Sequence, residues 1–439
     1  MIAEYHNIEE KWLESFPTHW KMCRLKDYTS TNTGITFTKA DLVESGNAVL
    51  SYGQIHAKNN PTTKINHELI RFIPDSFVTD KQSSKVKEGD FIFADTSEDL
   101  NGCGNCIYIN EPMDLYAGYH TIILRNKGLN CGKYFAYLFM TDQWRSQIRK
   151  RVKSVKLYSV TQGILNQTFI IVPPIEEQEL IVSYLDKECD KITREIDLLE
   201  RKIKCYHSLQ NSLINKIVTR GLNPNVSMKQ SEVPFLNEIP EHWHICRIKD
   251  LFNERIELSE TGTEDLLSVS EYYGVAKRAD KVDGENITRS DSLIGYKICY
   301  VNDIISNIML AWKGSLGRTK YNGIVSPAYG VYKPIVELNS SFYHYLFRTK
   351  LYKSIFRINS RGIIESRLRL YTPNFLGLST VYPPIEEQHE IVNYLDEKCS
   401  KIDSIIEKIK LKIGRLKELK RSLINEVVTG QRTIKTSDL

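Results

Sequence analysis

The feature that most constrains this chain is a block of nearly fifty residues that it contains twice. Pro173-Pro174-Ile175-Glu176-Glu177-Gln178 opens the first copy and Ser212-Leu213-Ile214-Asn215 lies near its end. Pro383-Pro384-Ile385-Glu386-Glu387-Gln388 and Ser422-Leu423-Ile424-Asn425 repeat the same words 210 residues later, with no gap needed between them. A repeat in one phase over this length means one structural unit used twice. Each copy reads as a single long helix. Ile181, Leu185, Cys189, Ile192, Ile196 and Leu199, and in the second copy Ile391, Leu395, Cys399, Ile402, Ile406 and Ile409, recur in steps of three and four. Such steps average about 3.5 residues, the spacing of a coiled-coil seam. The prolines suit the entrance and the glutamates complement the positive end of the helix dipole. Gly221 with Pro224, and Gly430, mark the ends. At 1.5 Å per residue such a helix spans roughly 65 Å. A rod of that kind cannot bury its stripe alone, so the expectation is that the two copies pack on each other, antiparallel. Gly414 falls inside the second rod, at the position matching Lys204 of the first, and is expected to weaken it or bend it.

A second repeat precedes each rod, built around a His-Trp pair. Phe16-Pro17-Thr18-His19-Trp20 with Cys23-Arg24-Leu25-Lys26-Asp27 returns as Ile239-Pro240-Glu241-His242-Trp243 with Cys246-Arg247-Ile248-Lys249-Asp250, at a shift of 223 residues. The chain is therefore a tandem duplication of His-Trp motif, variable globular part and long helix. Met1 to Glu14 looks like a short amphipathic lead-in. The globular parts, about 16–172 and 235–382, carry short β-like runs followed by helical stretches over Lys133–Val152 and Ser341–Ile358. The His-Trp motifs and helices match well and the globular interiors hardly at all. The scaffold was kept while the working surfaces diverged.

Charge is concentrated in those interiors. Net charge is only +5, which does not by itself announce a nucleic-acid binder. Yet Gln143 to Ile175 contains no acidic residue and carries Arg145, Arg149, Lys150, Arg151, Lys153 and Lys156 among Trp144 and Tyr158. The corresponding stretch of the second half carries Arg348, Lys350, Lys353, Arg357, Arg361, Arg367 and Arg369, with Glu365 its only acid. Cations interleaved with aromatic and small polar residues suit a phosphate backbone, and two such stretches at equivalent places favour nucleic acid over a solvated helix face. Two Gly-containing loops, Asp95–Gly102 and Ala311–Arg318 (with Lys313 and Arg318), are candidates for reaching base edges.

Catalytic and metal motifs are missing. Cys103-Gly104-Asn105-Cys106 has no second pair at zinc spacing and no thioredoxin-like setting. Gly314-Ser315-Leu316-Gly317-Arg318 lacks the P-loop ending, and there is no nucleophile elbow, HExxH or dinucleotide fingerprint. Nine cysteines are not a disulfide framework; Cys23, Cys246, Cys189 and Cys399 sit at matched positions and read as small buried apolar residues. His19 and His242 read as packing or capping residues beside their tryptophans. No apolar run reaches membrane-spanning length and the opening residues are no signal peptide, so a cytoplasmic protein with no membrane partner is expected.

The duplicated PPIEEQ opening, the long helices and the Ile-Pro-Glu-His-Trp motif resemble the specificity (S) subunit of type I restriction–modification systems, over essentially the whole chain. The resemblance implies an α+β fold with a pseudo-twofold internal repeat. Two mixed α/β target-recognition domains (1–172, and 223–382 with its linker) are joined and separated by two spacer helices (173–222 and 383–431) that form an antiparallel coiled coil, with a tail at 432–439. It implies a chain without catalytic, cofactor or metal sites of its own, whose two domains each read one half of a bipartite, asymmetric site on double-stranded DNA. The helices would fix the spacing and dock two methyltransferase (M) subunits using S-adenosylmethionine; restriction (R) subunits using ATP and Mg2+ would join them. The DNA-contacting candidates are Arg145, Arg149, Lys150, Arg151, Lys153, Lys156, Tyr158, Lys313, Arg318, Arg357, Arg361, Arg367 and Arg369. The competing expectation is a coiled-coil scaffold that binds proteins only.

Overall fold

The computed structural model describes residues 5–7, 12–128, 130–153, 156–234, 236–281 and 292–438. Most of the lead-in Met1 to Glu14 lies outside them, as do Phe235 at the expected start of the second globular part and Leu439 of the tail. Trp12 and Leu13, the last part of the lead-in, are buried.

Six helices matter here: α1 (Gly132–Met140), α2 (Asp142–Arg149), α3 (Ile175–Arg220), α4 (Ser340–Phe347), α5 (Lys350–Asn359) and α6 (Ile385–Val428). The rods α3 and α6 are the duplicated block. Each ends before a glycine with positive φ, Gly221 at 73° and Gly430 at 75°, the left-handed terminator that a Cβ would disfavour. Gly414 does not interrupt α6, which runs unbroken across it. Where the sequence suggested one helix before each rod there are two. Thr141 accepts a hydrogen bond from the Trp144 amide and Thr349 from the Tyr352 amide. A threonine cap starts a new helix in the middle of an apolar run, and the periodicity alone does not reveal it.

The chain divides into two compact units, residues 1–199 with 411–439, and residues 200–410. In the first, a four-stranded antiparallel sheet runs Thr29–Thr33, Thr121–Asn126, Phe91–Ala94, Cys106–Tyr108. In the second the order is Phe252–Glu254, Gly330–Pro334, Ile304–Ser306, Leu316–Arg318. Numbered along the chain, both sheets read first, fourth, second, third strand, so divergent sequences keep one topology. Each unit also pairs the strand after its His-Trp motif with the strand entering its rod: Lys21–Arg24 with Phe169–Val172, and His244–Arg247 with Ser379–Tyr382.

Aromatic side chains fill the cores. Phe139 lies 4.3 Å from Trp144 and 5.1 Å from Phe91, ring centre to ring centre. In the second unit Phe375 packs on Tyr332 at 4.6 Å and on Phe347 at 5.6 Å. Rings of this size each remove about 150–250 Å² from water and dominate core energetics. Cys189 and Cys399 are buried on the rods, whereas Cys23 and Cys246 are only half-buried on the strands after the His-Trp motifs.

The PPIEEQ motif is the joint between His-Trp motif, globular core and rod. Glu177 accepts from Trp20 Nε1 at 2.8 Å and pairs with His19 Nε2 at 2.7 Å. Gln178 donates to the Pro173 carbonyl at 2.8 Å and accepts from the Cys131 amide, where α1 begins, at 3.1 Å. The second copy repeats these residue pairs, with His242 and Trp243 sharing one carboxylate oxygen of Glu387 where His19 and Trp20 take one oxygen each of Glu177. Glu387 takes Trp243 Nε1 at 2.9 Å and His242 Nε2 at 2.8 Å. Gln388 holds the Pro383 carbonyl at 2.8 Å and the Asn339 amide at 2.9 Å. The shared wording of the repeat is thus a set of satisfied polar groups around a buried tryptophan and a buried glutamine, bonds that are costly to leave unmade.

Candidate nucleic-acid interface

In the first unit, the loop after the Phe91–Ala94 strand and the basic segment after α2 come together. The short strand Tyr158–Ser159 pairs with Thr96–Ser97, and the Val160 amide donates to Asp95 O at 2.7 Å. This pairing sets Lys150, Arg151, Lys153 and Lys156, all exposed, on the connector beside the Asp95–Gly102 loop, with Tyr158 half-buried. The Arg151 guanidinium donates to the Gln147 carbonyl at 2.7 Å.

Two predicted cations are spent on the loop itself. Arg145 donates to the Phe139 carbonyl at 2.7 Å and to Asn105 Oδ1 at 2.6 Å, and its burial lowers its pKa below the usual arginine value. Asn105 also touches His56 Nδ1 at 3.0 Å, while His56 Nε2 reaches the Thr96 carbonyl at 2.8 Å. With a carbonyl opposite it, Nε2 carries the proton and Nδ1 accepts from the amide. Arg149 pairs with Asp142 at 2.9 Å and donates to Asn101 O at 3.2 Å. Arg145 and Arg149 therefore hold the loop from beneath.

A polar and aromatic rim that the sequence did not flag adjoins this loop. Asp95 accepts from Thr96 Oγ1 at 2.7 Å and lies 3.2 Å from His120 Nδ1. His120 has a φ of 56°, and Tyr52 packs edge-on against both it and Tyr119 at 5.5 Å. These residues lie far apart in sequence, so no local pattern points to them.

In the second unit, Trp312 organises the cluster. Lys313 Nζ sits over its ring at 5.0 Å and the Arg357 guanidinium at 5.4 Å; Arg357 also pairs with Glu365. Arg361 and Arg369 are bridged by reciprocal backbone hydrogen bonds of 2.9 Å, with Arg361 and Arg367 exposed on the loop so closed. Arg318 turns elsewhere, to Asn302 Oδ1 and Ser341 Oγ, both at 2.8 Å. Part of the expected Ala311–Arg318 loop is strand, and Ser315 and Leu316 are buried. Arg348 belongs to the basic stretch in sequence and is an internal pin in the fold. It donates to the carbonyls of Gly314, Leu316, Ser270, Glu271 and Tyr272, and desolvation of its guanidinium pushes its pKa down to about 10.

Cys103 and Cys106 are buried, and burial pushes the Cys106 thiol up to about 12. Among the described residues no group of three or more His, Cys, Asp or Glu side chains is placed to hold a metal ion. Among the same residues no helix is long and apolar enough to cross a membrane.

The family model described as the type I restriction modification DNA specificity domain matches residues 17–203 and again 240–415. The chain belongs to that family. It is a type I DNA specificity subunit, not a catalytic one, and each match covers one recognition core with much of the rod that follows. The type I restriction enzyme EcoKI specificity subunit of Escherichia coli K12 is 20% identical over 437 residues, 95% of this chain and 90% of that one. The MjaVIII specificity subunit of Methanocaldococcus jannaschii is 23% identical over 321 residues, 68% of this chain and 70% of its own length. A chain solved to explain complex assembly and conformational transition of the type I R-M system superposes with a TM-score of 0.67 at 15% identity, covering 95% of this chain and 99% of that one. That likeness is one of fold.

Proposed function

We propose that this chain reads a bipartite, asymmetric DNA site, one half with the recognition domain of 1–172 and the other with that of 223–382. The observation that carries the reading is the exposed basic cluster in each unit, Lys150, Arg151, Lys153 and Lys156 in one and Arg357, Arg361 and Arg367 in the other, both set beside a loop of the same sheet topology. Lys150, Arg151, Lys153, Lys156, Lys313, Arg357, Arg361 and Arg367 contact phosphates or groove edges, with Tyr158 beside them. Arg145, Arg149 and Arg369 hold the reading loops in place, and Arg318 ties its strand to Asn302 and Ser341. Because the two readers differ in sequence, the half-sites differ, unlike those of a symmetric dimer.

The rods, 173–222 and 383–431, pair as an antiparallel coiled coil that fixes the spacing between half-sites. Supporting this, Thr193 meets Lys420 at 2.8 Å and Glu195 meets Lys412 at 2.7 Å in the first unit, and Gln210 meets Asp403 at 3.1 Å in the second. Ile402, Ile406 and Ile409 of the seam are buried. The outer faces of the rods are seats for two methyltransferase subunits carrying S-adenosylmethionine, joined by restriction subunits using ATP and Mg2+. Long-read methylome sequencing of the host tests the reading. A two-part methylated motif that vanishes when this gene is deleted is expected; an unchanged methylome refutes it, and a scaffold that binds only proteins would leave it unchanged.

A further inference from the structure

The loop 361–369 combines two properties that seldom coincide. Its base is fixed: Arg361 and Arg369 exchange two backbone hydrogen bonds of 2.9 Å, the Arg367 amide donates to Ile364 O at 2.9 Å, and the Leu370 amide ties the loop to Ile308 O at 2.9 Å. Gly362 is required, with φ at 152°, because a Cβ there would stand 2.5 Å from the Arg367 carbonyl oxygen. Yet the tip of this fixed loop is Ile363, 101% exposed, followed by Ile364 at 53%. An aliphatic side chain held wholly in water on a rigid support wants a partner surface. Its neighbours say which kind. Arg361 and Arg367 are exposed on either side, and Arg357 and Lys313 stack on Trp312 nearby. Within the corresponding connector of the first unit, Leu157 is 46% exposed between Lys156 and Tyr158.

We propose that Ile363 is a wedge: the loop enters the minor groove, Arg361 and Arg367 follow its negative walls, and Ile363 inserts between two base pairs and kinks the duplex. Apolar wedges flanked by arginine act in this way in minor-groove proteins, with bends of about 20–90°. Specificity then arises at a base step the protein does not hydrogen-bond, with the easily unstacked pyrimidine–purine steps preferred. This inference rests on the DNA-reading function proposed above and names a further determinant within it.

The test uses the full-length chain and the duplex it selects from a random-sequence pool, labelled at both ends for energy transfer and with 2-aminopurine at successive steps of the second half-site. Wild type is expected to shorten the end-to-end distance and brighten one step. Ile363→Ala should abolish both signals and weaken binding on the order of ten-fold, while Ile363→Leu restores them. Arg361→Ala with Arg367→Ala should flatten the salt dependence by about two phosphate contacts and leave the kink of the DNA still bound. A kink and affinity unchanged in Ile363→Ala overturn the wedge. Retained DNA behaviour with loss of a co-purifying methyltransferase subunit overturns it in favour of a protein contact. Selection of no duplex by the wild type overturns the DNA-reading function itself, and the wedge with it.

Discussion

The two copies of the joint and the two copies of the basic connector make an instructive pair. At the joint, Trp20, His19, Glu177 and Gln178 repeat as Trp243, His242, Glu387 and Gln388 with hydrogen bonds that agree to within 0.2 Å. At the connectors, nothing but charge is shared. One carries exposed Lys150, Arg151, Lys153 and Lys156 beside Tyr158; the other closes a loop under Ile363 and stacks cations on Trp312. A corner built on a buried indole and a buried glutamine has one solution because each buried polar group must find its partner. A solvent-facing reader has many, because water satisfies whatever is left over.

The sharpest way to break this comparison is at the joint. Trp243 is completely buried, and its Nε1 donates to Glu387. Trp243→Ala is expected to cost roughly 3–5 kcal/mol, the usual loss for a large buried aromatic, read as a fall in urea midpoint. The loss should be seen first in hydrogen exchange of residues 200–410. A substitution costing under about 1 kcal/mol would mean that the repeated corner is decoration.

The connectors should respond the other way. Lys150→Ala, Arg151→Ala and Lys153→Ala together are expected to leave the melting temperature within about a degree, since surface changes of this kind usually lie within about ±0.5 kcal/mol. Their effect belongs in DNA affinity. Loss of three phosphate contacts should reduce the slope of log K against log salt by about 2.7, measured by fluorescence anisotropy on duplex DNA. An unchanged slope would place the phosphate track on another face.

A pH dependence separates the units as well. In the second unit the His344 ring packs beneath Gly274 and Gly317, accepts from the Arg318 amide at Nδ1, and faces Arg348, Lys320 and Arg318. Burial first, and then these cations, push its pKa down to about 3 from the ordinary 6.5. A base whose folded pKa is depressed stabilises the fold above its unfolded pKa, and that stability is lost as pH falls from about 6.5 towards 3. Each unit of pH within that window costs up to about 1.4 kcal/mol. His344→Gln, which keeps an acceptor, should flatten the acid limb of a stability–pH curve between about pH 6 and 4. An unaltered limb would assign the acid sensitivity to carboxylates.

Much of this was legible beforehand because repetition does the work of an alignment. The rods, their glycine ends and the matched His-Trp motifs follow from period and phase. The site was less legible. Arg145, Arg348 and Lys150 look alike in a basic run, and only packing separates two pins from an exposed cation, because a guanidinium can be sunk against carbonyls without any acid nearby in sequence. The Thr141 and Thr349 breaks were hidden for a related reason: one hydroxyl cap outweighs a run of apolar spacing. The Tyr52–Tyr119–His120 rim is assembled from distant segments and leaves no local mark.

Gly414 tests the boundary between those two kinds of information. The repeat matches it to Lys204, and helix propensity gives glycine a penalty of about 1 kcal/mol against alanine. In the structure α6 passes through without a break, and a Cβ built on Gly414 meets no atom within 4 Å. Nothing in the packing requires glycine there. Gly414→Ala is therefore expected to raise stability by about 0.5–1 kcal/mol, the smallest of these effects, visible as a rise of a degree or two in melting temperature. A destabilised variant would show that the rod needs local give at this point, a requirement that the helical backbone does not display. The duplicated rods would then differ in function where their seams agree.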